Sequence, residues 1–169
     1  MKTPLTLIII LLNFSICTAQ RVTYRDVIFV LNHNIAETED FLSNKGFEFN
    51  KVDTLKGQLE QVCYSFSKNS KNNNQYIGLE KKSVKDIFYE VSMFTVLQSD
   101  YLKIKSSIKK EGYKLSSTKT NNGELQLVFK KGEIEITFST SYKPDIEMTD
   151  YYISFTNTKK QEKAWELSK

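Results

Sequence analysis

Histidine, cysteine and proline are nearly missing from this chain: its 169 residues hold one His, two Cys and two Pro. Each scarcity removes a class of explanation. With His33 as the sole histidine, no H-E-x-x-H zinc motif and no His-rich metal site can be written. Cys17 and Cys63 form no C-x-x-C pair, which excludes a thioredoxin-like redox motif and a zinc ribbon. The six glycines never fall into G-x-G-x-x-G or a Walker run, so no phosphate cradle is encoded. No Pro/Gly/Ser-rich linker or low-complexity tract divides the chain.

Long apolar runs are also scarce, and the one present is N-terminal. In MKTPLTLIIILLNFSICTAQ, Lys2 precedes an apolar run at residues 5–12 and the segment ends in Thr18 and Ala19. Asn13 and Ser15 leave it short of the roughly 20 apolar residues of a spanning helix. The pattern predicts a secretory signal over residues 1–19, cut after Ala19, and hence an exported protein, periplasmic or extracellular, with no membrane span after cleavage. Ile16 stands before Cys17, where a lipid-attachment signal takes a small residue, so Cys17 is expected to leave with the signal. Cys63 then remains alone, no internal disulfide can form, and stability must come from a hydrophobic core. Removing Lys2 leaves 23 basic against 20 acidic residues, a net charge of +3, which predicts no nucleic-acid partner. Lys103, Lys105, Lys109, Lys110 and Lys114, the nearest approach to a basic face, border an apolar helical stripe and read as its solvated side.

What is abundant is pattern. An offset of 66 residues sets Gly46 on Gly112, Leu31 on Leu97, Ile35 on Tyr101, Phe47 on Tyr113, Val62 on Val128 and Cys63 on Phe129. An offset of 64 then sets Asp86–Ser92 (DIFYEVS) over Asp150–Thr156 (DYYISFT). Self-similarity at one period predicts two copies of a unit of about 65 residues, at roughly 24–92 and 93–157.

In the second copy Leu97, Tyr101, Ile104 and Ile108 recur at helical spacing, with Ser99 or Asp100 as N-cap and Gly112 as the residue that ends the helix. The first has Ile28, Leu31, Ile35 and Leu42, with caps at Thr23 and Asn34; Asn34 followed by Glu37 resembles a capping box and predicts two short helices. Strands follow at 47–53, 59–67, 75–80 and 87–96, then at 113–120, 125–129, 134–138 and 151–156, the sixth and seventh joined by a hairpin at Lys131-Gly132. The expected fold is two-layer α+β, a tandem α-β-β-β-β repeat giving an antiparallel sheet with helices packed on one face. Residues 20–157 make one domain, and 158–169 a charged tail, frayed or docked through Trp165.

This tandem layout over residues 24–156 resembles that of β-lactamase-inhibitor-type proteins, and the short Ala-Gln-ended signal before a Lys/Asn-rich domain resembles secreted proteins of Bacteroidota. The resemblance implies a non-enzymatic protein that binds another protein on its open sheet face.

Candidate chemistry is sparse. Cys63 and His33 could form a nucleophile and base for a hydrolase, but the register with Phe129 makes Cys63 an apolar filler. Asp145, Glu147 and Asp150 could offer oxygens to Ca²⁺, but without EF-hand spacing they read as a solvated loop; no metal or cofactor is expected. The strands say more. If Tyr89, Val91 and Met93 face the core, then Phe88, Glu90, Ser92 and Phe94 face out, as does Tyr152. Phe88 and Tyr152 are matched by the 64-residue offset, which predicts a binding surface at Phe88, Glu90, Phe94 and Tyr152 for a protein partner. A structural envelope component assembled through sheet edges is the third reading.

Overall fold

The structure, a computed structural model, describes residues 21–56, 60–70, 75–121 and 124–168; the expected signal at 1–19 lies outside them. The chain enters helix α1 (Tyr24–Asn32) through a capping box. Thr23 Oγ1 accepts from the Asp26 amide, and the Asp26 carboxylate accepts from the Thr23 amide, satisfying amides that have no partner inside the helix. His33 ends α1. Asn34 and Glu37 form a second box that starts α2 (Ile35–Ser43), so the first half does hold two short helices. Gly46, at φ +78°, turns the chain out of α2 at little steric cost.

Four antiparallel strands follow: β1 (Glu48–Lys56), β2 (Glu60–Ser70), β3 (Gln75–Val84) and β4 (Ile87–Thr95). Helix α3 (Gln98–Lys110) leads, through Gly112 at φ +87°, into β5 (Lys114–Asn121), β6 (Glu124–Lys131), β7 (Ile134–Lys143) and β8 (Met148–Asn157), and α4 (Thr158–Glu166) closes the chain. All eight strands share one sheet in the order β1-β2-β3-β4-β8-β7-β6-β5. The last strands of the two meanders therefore pair at the centre, from Glu90 opposite Thr156 to Thr95 opposite Tyr151, and β1 and β5 are its edges. The fold is α+β, with four helices among the described residues on an antiparallel sheet.

The core lies between α1, α2, α3 and one face of the sheet. Phe66, Leu79, Val91, Met93, Phe138, Ile153 and Phe155 meet Val27, Leu31, Ile104 and Ile108, all 2% exposed or less. Each such side chain contributes about 1.5–3 kcal/mol through burial.

Some expectations change. The N-cap of α3 is Leu97, with no side-chain cap, while its amide donates to Thr95 Oγ1; Asp100 sits in the first turn. The β6–β7 turn is Gly132-Glu133, one residue later than expected, since Gly132 supplies the positive φ of +56°. The C-terminal segment is a helix whose N-cap, Asn157, accepts from the Lys160 amide. It docks through Ala164, fully buried against Val84, Ile87 and Tyr89, while Trp165 stays 46% exposed. Val84 and Ile87 face each other across the β3–β4 hairpin, one position on from core-facing Ser83 and Phe88, so α4 lies on the face opposite the other three helices. The one-sided helix layer holds for α1–α3 only.

A lysine sits inside the core layer. Lys81 on β3 is fully buried and donates from Nζ to the Val30 and His33 carbonyls at the C-terminal end of α1, with Nζ 4.5 Å from the Phe88 ring centroid. Carbonyls at a helix C-terminus lack partners within the helix and carry partial negative charge, and the ring face adds to it. Burial nonetheless pulls the lysine down to about 8; Lys160 pushes the same way and Glu37 opposes. The folded value lies below the ordinary 10.5, so between them the unfolded chain holds the additional proton and stability rises with pH. In urea unfolding of wild type and Lys81→Met, the wild type should gain on the variant as pH goes from 8 towards 10, by up to about 1.4 kcal/mol per pH unit. A gap that does not change with pH would contradict this.

Candidate functional site: the open face of the sheet

The face away from α1–α3 is set by strand alternation and by one interruption of it. Along β3 and β4, Lys82 lies opposite Glu90 but the next pair is Ser83 with Phe88, so Tyr89 is an extra residue on β4. This bulge reverses the alternation on its N-terminal side. Phe88, expected on the outer face, is instead turned towards the helices, under Lys81 Nζ and 5.9 Å from the Tyr64 ring. Tyr89, expected in the core, lies under α4. Phe88 and Tyr152, equivalent by offset, thus stand on opposite faces.

Glu90, Phe94 and Tyr152 do come together on the open face. Glu90 pairs with Lys82 at 2.7 Å and accepts from Ser92 Oγ at 3.0 Å. Burial works against the Lys82 ammonium, but Glu90 outweighs it and holds the group above the usual lysine range. Phe94 is opposite Tyr152 on one side and Gly78 on the other. Burial pushes the Tyr152 phenol up, opposed by its hydrogen bond with Ser92 and by the Lys82 charge.

Pattern reading missed Tyr76 and Gly78. The Tyr76 ring is 5.7 Å from that of Phe94, edge on, and lies across Gly78, where an added Cβ would come within 3.1 Å of Tyr76 Oη. A glycine inside a strand two residues after an aromatic was the available signal, because such a glycine leaves room for a close neighbour. Together these residues shape a groove of about 340 Å³. Tyr76, Phe94 and Tyr152 form its apolar wall around Gly78, while Lys51, Glu80 and Ser92 supply polar groups. A second, shallower hollow of about 540 Å³ lies on the helix side, where Phe41, Phe29 and His33 stack in line beside Glu37 and Asp40.

Cys63 and His33 are not brought together. Cys63 faces the open side between Asp53 and Lys82, whereas His33 stacks on Phe29 at 3.7 Å with Nδ1 2.8 Å from the Phe29 carbonyl, and the sheet lies between them. Strand pairing also aligns Phe129 with Phe66 rather than with Cys63, since Leu115 faces Phe129 as Phe49 faces Phe66. Cys63 is 5% exposed, and burial pushes its thiol up. Asp150 is held by Lys143 at 2.5 Å, and among the described residues no three His, Cys, Asp or Glu side chains gather as a metal site. No helix among the described residues is long and apolar enough to cross a membrane.

Cys63 should react with a thiol reagent at neutral pH at least about tenfold slower in the native protein than after unfolding; equal rates would place the thiol in solvent. No family model matches the chain, and no curated protein or solved structure matches it.

Proposed function

We propose that the protein is an exported, non-enzymatic binding module, of inhibitor, immunity or envelope-adaptor type, that holds a partner protein on the open face of its sheet. The observation that carries this reading is the groove around Gly78. It sets three aromatic rings in an apolar centre beside charged groups, with Lys51 and Glu80 in its lining and the Lys82–Glu90 pair on the same face. Apolar centres with charged rims are how protein interfaces are built, and a buried aromatic or aliphatic anchor from the partner is what such a groove accepts. Its volume falls at the lower end of ligand-sized pockets, enough for one large side chain.

A duplicated origin for the fold belongs to the same reading. Gly46 and Gly112 both take positive φ at matched helix ends, and the bulges between Phe49 and Lys51 and between Leu115 and Ser117 recur at the 66-residue offset. The offset then falls to 63 for Phe66 and Phe129 and returns to 64 at the β4–β8 joint, where Val91 faces Phe155.

The test is capture of partners from the envelope and culture fluid of the producing organism, with wild type compared against Phe94→Ala/Tyr152→Ala after circular dichroism confirms folding. A partner recovered by wild type and reduced about tenfold or more by the variant supports the groove. Equal recovery would move the binding surface elsewhere, and Phe88→Leu, which alters only the helix-side ring, should leave recovery unchanged.

A further inference from the structure

The two edges of the sheet are built differently. β5 carries Lys114 and Lys119 among serines and threonines, with no acid. Lysine on an edge strand guards it against pairing with another chain. β1, with sequence EFNKVDTLK, alternates in sign through Glu48, Lys51, Asp53 and Lys56, and all but one of its nine residues are exposed. Phe49, Val52 and Leu55 are 44%, 49% and 46% exposed, and among the described residues no strand pairs with its outer side. An edge of this length with apolar side chains and unpaired backbone groups is a template for a further strand.

We propose that the occupant is a second copy of the chain, the two β1 strands pairing antiparallel about a two-fold axis at Val52. The sequence is self-complementary in that register. With Val52 on the axis, Lys51 of each copy faces Asp53 of the other, and the two-fold makes this pair twice. Moving the axis by one residue sets Lys51 against Lys51 or Asp53 against Asp53, and like charges directly opposite destabilise a strand pair. Lys51 and Asp53 share the open face and are already paired within one strand at 2.5 Å, so dimerisation closes a square of four alternating charges. Val52 faces the helix side, opposite Tyr64 on β2, and meets Val52 of the second copy there. The bulge at Asn50 lies just outside this central triplet; skipping it places Phe49 opposite Thr54 of the second copy, both on the helix side. The two eight-stranded sheets then run on as one. Because Lys51 also lines the groove, the two grooves come to flank the joint.

Sedimentation equilibrium of the purified protein tests this. Wild type should be a dimer that weakens as salt is raised. Lys51→Asp and Asp53→Lys, each placing like charges opposite one another, should weaken self-association at least about tenfold. An equal mixture of these two variants restores opposite charges across the joint and should dimerise nearly as well as wild type. Val52→Cys should oxidise to a covalent dimer, whereas Thr118→Cys on β5 should not. All these positions lie on edge strands, and circular dichroism checks their folding. A monomeric wild type, a dimer indifferent to both charge reversals, or a mixture no better than its components would overturn the proposal.

Discussion

The pairing of β4 with β8 is the joint on which the rest of the molecule depends. Within each half, strands consecutive in the chain pair antiparallel, and only at this joint does one half hydrogen-bond to the other through the sheet. It is also deeply buried: Val91, Met93, Ile153 and Phe155 are wholly covered on the helix side. Placing the last strand of each meander at the centre forces the first strand of each to the rim. It likewise brings α1 and α3, which open the two meanders, over β4 and β8. One long-range pairing thereby sets helix position, core composition and the identity of both edges.

A single inserted residue modifies that scheme. The Tyr89 bulge puts Phe88 beneath Lys81, whose ammonium answers the free carbonyls of α1, and it hands Tyr89 to α4 on the other side. A buried lysine is costly, and here it is held by hydrogen bonds that a helix end would otherwise leave unmade. The bulge thus links both faces: it ties α1 down to β3 on one, and on the other it provides the seat for α4. With α4 over the start of β4, the open face is left bare at the other end of that strand, where Phe94, Tyr152 and Tyr76 surround Gly78.

Much of this was legible in residues. The caps at Thr23 and Asn34, the glycines that end helices, the strand count and the alternation of Val91 and Met93 with Ser92 and Phe94 are local or periodic signals, and they follow from backbone chemistry within a few residues. Of the four positions expected at the binding surface, Glu90, Phe94 and Tyr152 share one face and Phe88 does not. Alternation has no memory of a bulge: one extra residue in β4 shifts everything before it, and nothing in IFYEVSMF marks where it falls. The alignment of Cys63 with Phe129 failed for a related reason, since an offset read from side-chain polarity slips between elements that hydrogen bonding later aligns.

What the sequence alone determined is therefore the set of elements, their order and the apolar side of most of them, because these depend on caps, turns and periods of two and 3.6 residues. Tertiary structure decided which strands became neighbours. It selected the β4–β8 joint, left β1 and β5 as edges, sank Lys81 under α1, seated α4 by Ala164 instead of Trp165, and folded Tyr76 over Gly78 beside residues from four other strands. Those outcomes rest on contacts between residues far apart in the chain. Their energies come from burial and from backbone groups finding partners, and only the assembled sheet makes such partners available.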